Sequence, residues 1–417
     1  LQKLSIIFRF NRDAIKLFVN TPELVIPYLQ NQFYLTKRRE LENERQKLTL
    51  KLRQYAFDEK MNELTQKSFQ LFKAELAAKY EWKTNRRRFE SNDFRRNSGE
   101  FTHEYPVILS TTYSIKGTLS LDYVYDYLII DEASQVDLTT AVLAFSCARN
   151  IVIVGDLNQL PNVLSEADIQ RSETIWQTYS LAECYHFSTH SLLSSALETW
   201  PTAPVTLLRE HYRCHPKIIN FCNQKFYAGQ LIIMTEDNDE PDVLTMYRTA
   251  AGNHARGHIN QRQIDVIQQE ILPQLRRQNY QSIGIITPYR DQAAAIRKQL
   301  GGYYEVDTVH KFQGREQDAI ILTSVDNIIT DFVDDPHMLN VAVSRAIHSL
   351  TVVTSQDPRN DRTNYGDLTR YIEYNNFAVI QSQVYSVFDL LYQGYAEQRK
   401  AYLRKRKRIS EYDSENL

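Results

Sequence analysis

Tyr127-Leu128-Ile129-Ile130-Asp131-Glu132-Ala133-Ser134-Gln135 reads as a strand running straight into two adjacent carboxylates. Four apolar residues in a row, without polar alternation, suit a parallel strand covered on both faces. Asp131 and Glu132 then fall at its carboxyl end, where open α/β sheets place their ligands. Adjacent carboxylates there can hold Mg²⁺ and a hydrolytic water. Taken alone, an Asp-Glu pair is more often solvated surface charge.

The stretch has companions in a fixed order. They are Gly155-Asp156-Leu157-Asn158-Gln159-Leu160-Pro161, Tyr212-Arg213-Cys214-His215-Pro216, Thr287-Pro288-Tyr289-Arg290, His310-Lys311-Phe312-Gln313-Gly314-Arg315-Glu316 and Leu339-Asn340-Val341-Ala342-Val343-Ser344-Arg345. Apolar runs at 107–109, 151–154, 243–246, 283–286, 320–323 and 350–353 alternate with helical segments such as 216–226 and 261–272. Strands alternating with helices predict parallel sheets. Two α/β domains follow, with a boundary near residues 200–204, and residues 232–257 read as polar surface loop around one strand.

Bulk composition narrows the class. With 417 residues, 42% hydrophobic and 24% charged, the chain can build two cores and an accessory segment. Its net charge of −2 argues against wholesale coating of nucleic acid, leaving a local track. Cys147, Cys184, Cys214 and Cys222 lack C-x-x-C spacing, which favours buried free thiols over a disulfide framework or zinc ribbon. Residues 1–10 carry no signal-type apolar core, and no run is long enough to cross a membrane. A cytoplasmic, non-membrane protein is expected.

Residues 35–90 contain no Pro or Gly, and Leu41, Leu48, Leu52 and Tyr55 fall at helical spacing. A long helical hairpin or coiled-coil stalk is predicted there. Residues 36–100 hold 17 Lys and Arg against 11 Asp and Glu, which reads first as a solvated helical face. Arg86-Arg87-Arg88 and Arg95-Arg96, interleaved with Trp82, Phe89 and Phe94, suit either phosphate contact with aromatic stacking or a basic turn. From Gln381 the chain reads as helix ending in Arg404-Lys405-Arg406-Lys407-Arg408, more often a solvated helix end than a nucleic-acid contact.

Across residues 105–355 the ordered motifs resemble the superfamily 1 helicases, in the branch of the nonsense-mediated-decay RNA helicase and its bacterial relatives. The resemblance implies an α/β fold of two RecA-like parallel-sheet domains, the first incomplete, with an N-terminal helical or coiled-coil insertion. It places the insertion at 1–104, the first domain at 105–202, the second at 203–358 and a C-terminal helical extension at 359–417. ATP and Mg²⁺ are the implied cofactors, single-stranded DNA or RNA the partner, and 5′ to 3′ the polarity. One element is missing. None of the 12 glycines is followed by lysine, so the phosphate loop G-x-x-x-x-G-K-[ST] is absent. The 417-residue chain alone is therefore expected to be inactive, with further domains of the same protein expected at both ends.

Residue by residue, the resemblance implies that Asp131 holds Mg²⁺ through water and Glu132 deprotonates the attacking water. Gln135 and Gln159 sense the γ-phosphate, and Arg213 and Arg345 reach it from the second domain. Tyr212 stacks on the base, while Gly314 and Glu316 approach the phosphates and ribose. Ser110, Thr111 and Thr112, at the end of a strand, contact the nucleic-acid backbone in the first domain. Thr287, Pro288, Tyr289, Thr308 and His310 are their counterparts in the second. Val343-Ser344 departs from the commoner leucine and threonine but keeps a hydroxyl before Arg345. Two other classes remain: a non-enzymatic nucleic-acid-binding or scaffold module derived from a helicase, and a nucleotide switch without translocation.

Overall fold

A computed structural model describes residues 22–80, 86–250, 255–355 and 357–385. The chain divides into two compact units, Leu1–Arg88 and Phe89–Leu417. In the first, helices span Pro22–Gln54 and Phe57–Tyr80 and are separated at Ala56, whose φ is +47°. The helical period is as read, yet Leu41, Leu48, Leu52 and Tyr55 are all more than half exposed. Among the described residues, nothing covers that stripe.

The second unit contains two main parallel sheets, beside a short parallel pair of β3 (Glu210–His211) with β4 (Ile232–Ile233) and a short antiparallel pair. The larger has six strands: β5 (Leu244–Thr249), β8 (Ile283–Thr287), β9 (Glu305–Thr308), β10 (Gln317–Thr323), β11 (Ala346–Ser355) and β12 (Ala378–Gln381), in the order β12-β5-β11-β10-β8-β9. Every adjacent pair is parallel, with Ile320 facing Leu350 on one side and Gly284 on the other. Successive side chains of β10 alternate between two cores. Ile320 and Leu322 join one with Ile218, Met246 and Val352; Ala319 and Ile321 join the other with Ile264, Ile285 and Val353. Helices cover both faces, which is why the central runs 283–286, 320–323 and 350–353 are largely apolar.

The smaller sheet pairs β1 (Tyr125–Ile130) with β2 (Ala148–Ile153), Ile130 opposite Ile153. Ile130 packs with Ala141 and Ala144 of the helix Leu138–Phe145 and with Leu192. That helix is capped by Asp137, whose Oδ1 accepts from the amides of Thr139 and Thr140, both at 3.0 Å. Tyr127 and Ile129, on the opposite face of β1, are 66% and 68% exposed. This α/β lobe is thus a two-stranded, one-sided sheet among the described residues.

Two expectations give way. Residues 107–109 form no strand, and Val107 and Leu109 are 76% and 92% exposed; the run is apolar, but no described strand lies beside it to complete a ladder. Residues 378–381 form edge strand β12 on β5, and 382–385 are irregular, so the helix expected from Gln381 does not start there. The basic run at 404–408, Trp82 and residues 1–10 lie outside the described residues.

Candidate functional site

The carboxylate turn follows from strand geometry. β1 ends at Ile130, and Glu132 takes a left-handed backbone (φ +52°), an uncommon conformation for a side chain of its size. Its amide donates to Asp131 Oδ1 at 2.8 Å, and the amide of Ala133 donates to the carbonyl of Val154 at 2.9 Å. The turn is thereby tied to the end of β2. Gly155 permits the close approach: a Cβ there would lie 3.1 Å and 3.2 Å from the amide nitrogens of Ala133 and Ser134. Asp131 is exposed and Glu132 half-buried. Two hard carboxylate groups, one open to solvent, match the donor set that Mg²⁺ takes.

A polar bridge joins this turn to the second lobe. Gln313, just after the helix Val309–Phe312, donates through Nε2 to Glu132 Oε2 at 3.3 Å and to Gln159 Oε1 at 3.4 Å. Its Oε1 is buried with no protein partner. Gln135 Nε2 reaches the same Glu132 oxygen at 3.5 Å. Asp156 Oδ2 accepts from Gln159 Nε2 at 3.2 Å and from the Tyr227 hydroxyl at 2.6 Å. Asn340 Nδ2 donates to the carbonyl of Asn158 at 2.9 Å and to the Tyr227 oxygen at 2.8 Å. Burial and the Asp156 carboxylate push the Tyr227 phenol well above its ordinary value, so it stays a donor. Tyr227→Phe removes a hydrogen bond to a charged acceptor and should cost about 1.5–3 kcal/mol, measured as a lower urea midpoint.

The guanidinium groups lie on the facing side. Arg345 is 4% exposed; its Nε donates to the carbonyl of Val341 at 3.1 Å and its Nη2 to Ser344 Oγ at 3.1 Å. Burial, then the neighbouring Arg213 charge, lower its pKa, while Glu132 and Glu316 act in the opposite sense. Arg213 pairs with Glu316. Burial and the two guanidiniums hold His211 down at about 4, so it is neutral, and its Nε2 accepts from the amide of Cys214 at 2.9 Å. Tyr212 is 65% exposed, its hydroxyl on Glu210. Gly314 has φ +77°, and a Cβ there would meet nothing within 4 Å.

Glu132, Gln135 and Gln159 are thus brought together, and Arg213 and Glu316 are paired. Gln313 and Asn340 lay inside motifs quoted from the sequence but were not singled out. Tyr227 carried no sequence signal, because its role depends on Asp156, 71 positions away.

The residues expected to face nucleic acid are presented unequally. Ser110 and Thr111 are exposed; Ser110 Oγ lies 3.2 Å from Thr118 Oγ1, and Thr112 is half-buried. Thr287, Pro288 and Thr308 are buried at the carboxyl ends of β8 and β9. His310 is half-buried, its pKa lowered by burial and by Arg290 against the pull of Asp335. Tyr289 stacks on His258 and on Phe332. Phe89 and Phe94 pack on Phe101, and Arg95 Nε donates to the carbonyl of Gly117 at 2.9 Å.

His215, Asp237 and Glu240 also converge. There, however, His215 Nδ1 accepts from the amide of Lys217, leaving Nε2 as the donor to Glu240 at 3.2 Å, and Lys217 Nζ lies on Asp237 at 3.0 Å. That arrangement is a charged cap on the helix Pro216–Phe226. Cys214 and Cys222 are buried free thiols, Cys214 raised to about 12 by burial.

One AAA-domain family model matches residues 13–166 and another matches 188–357, together well over half of the chain. An uncharacterized ATP-dependent helicase of Caenorhabditis elegans is 26% identical over 292 residues, covering 64% of this chain and 18% of that protein. The DNA replication ATP-dependent helicase/nuclease DNA2 of Gallus gallus is 26% identical over 274 residues, covering 61% and 25%. The 5′-3′ DNA helicase ZGRF1 of Mus musculus is 27% identical over 256 residues, covering 56% and 13%. The chain spans a quarter or less of the length of these three relatives.

Proposed function

Because the chain belongs to the superfamily 1 helicases, we propose that it is the core of an ATP-dependent helicase or translocase that moves 5′ to 3′ along single-stranded DNA or RNA. ATP sits in the crevice between a first lobe at 105–202 and a second that begins at 203 and, with Tyr365, Leu368 and Ile372 in its core and β12 in its sheet, runs to 381 instead of ending at 358 before a helical extension. The single observation that carries this is Gln313 of the second lobe donating to both Glu132 and Gln159 of the first.

Mg²⁺, held by Asp131 through water, would supply charge neutralisation at the phosphates. Glu132 takes the proton of the attacking water, its carboxylate oriented by Gln135 and Gln313. Gln159 joins them as a neutral donor that adds no charge near the γ-phosphate. Arg213 and Arg345 meet charge developing on the transferred group. Arg213 must first leave Glu316, which is then free for the ribose. Tyr212, exposed at the crevice edge, stacks on the base, and Gly314 leaves room for phosphates. As the carboxylate base and the guanidinium groups come from different lobes, hydrolysis and lobe closure are one event. Ser110, Thr111 and Thr112, with Tyr289 and His310, form the strand track, gripping it mainly through phosphates, while Thr287, Pro288 and Thr308, buried at the ends of β8 and β9, shape that track without offering their side chains to it.

The experiment uses the 417-residue chain beside a version with a phosphate-loop segment joined ahead of Leu1. Both should bind single strands with affinity that falls as salt rises. Only the extended version should hydrolyse ATP when strands are added. Strand-stimulated turnover by the 417-residue chain itself would refute the need for that loop.

A further inference from the structure

We infer that the three-ring stack of His258, Tyr289 and Phe332 is a platform for one unpaired nucleobase, with Phe332 as the ring that meets it. This rests on the single-strand reading above and adds a site to it. Three separate segments build the stack: the turn between β6 (Ala255–Arg256) and β7 (Ile259–Asn260), the carboxyl end of β8, and the loop before the helix Pro336–Val343. The His258 and Tyr289 centroids are 4.3 Å apart at 29°, and those of Tyr289 and Phe332 5.4 Å apart at 28°.

Tyr289 is fixed in the middle, its hydroxyl donating to Asp326 Oδ2 at 2.7 Å and lying 3.3 Å from Thr330 Oγ1. Phe332 is 50% exposed, although Ile329 and Val333 of the same loop are buried in the core. The loop is therefore pinned while the ring is presented. Asp326 is engaged by the tyrosine hydroxyl, so the free end of the stack offers carbon, which suits a base and not a phosphate. Base stacking on an aromatic face needs no sequence readout, as a translocase requires.

The test titrates the 417-residue chain against single strands carrying 2-aminopurine at one position at a time. Phe332→Ala should weaken binding roughly 5- to 150-fold, leave the salt slope unchanged and abolish quenching at one position. Phe332→Trp should retain both affinity and quenching. Phe332→Leu, which keeps apolar bulk and guards against misfolding of the alanine variant, should lose the quenching. Wild-type affinity and quenching in the leucine variant would overturn the platform alone. Absence of single-strand binding by the unaltered chain would overturn the parent reading and the platform with it.

Discussion

Arg345→Ala, in the version carrying a phosphate loop, is expected to reduce strand-stimulated ATP turnover by about 10³- to 10⁵-fold, the range known for a transition-state arginine. Arg345 enters from the second lobe behind Ser344, and its guanidinium is held by the Val341 carbonyl and the Ser344 hydroxyl, so little reorganisation accompanies the reaction. Arg345→Lys keeps a charge but lacks the planar fork, and should recover only a small part of the rate. Since Arg345 is buried, its removal also affects stability, and thermal melting of each variant must be followed alongside kinetics. Arg213→Ala provides the independent check. Its side chain is 45% exposed and paired with a comparably exposed Glu316, so the fold should barely register its loss while turnover falls. Normal turnover in both alanine variants would mean that no guanidinium from the second lobe serves the reaction.

Glu132→Gln should lower kcat by about 10²- to 10⁴-fold with ATP binding and single-strand affinity retained. The substitution preserves shape and leaves a carbonyl oxygen to accept from Gln135 and Gln313, while removing the base. The left-handed backbone at residue 132 is already adopted by a side chain of the same length, so no new strain is introduced. Nucleotide should accordingly remain bound without being turned over, which equilibrium binding of a fluorescent ATP analogue and a single-turnover assay would separate. A kcat equal to that of the unaltered protein would remove Glu132 from the role of base.

The central strands of the second lobe were legible beforehand because they are covered on both faces, and their largely apolar runs at 283–286, 320–323 and 350–353 admit few other readings, whereas edge strands β9 and β12, only partly buried, did not stand out. The first lobe was less so. Residues 107–109 are as apolar as those strands but do not pair, because a strand is a property of its neighbours as much as of its own side chains. Within the site, Glu132, Gln135, Gln159, Arg213 and Arg345 stood out by motif. Gln313, Tyr227 and Asn340 did not, since each acts through a partner on the other lobe, Asn340 through the carbonyl of Asn158.

By itself, the order of residues determined that carboxylates would stand at the end of one parallel strand and guanidiniums among the motifs that follow, since strand polarity and local turn chemistry are encoded within a few residues. Which of those groups meet was decided only by tertiary structure. The contact of Gln313 with Glu132 spans 181 positions and the stack of Phe332 on Tyr289 spans two loops. Separations of that kind are set by how two sheets pack and where their loops are pinned, for which no local pattern exists.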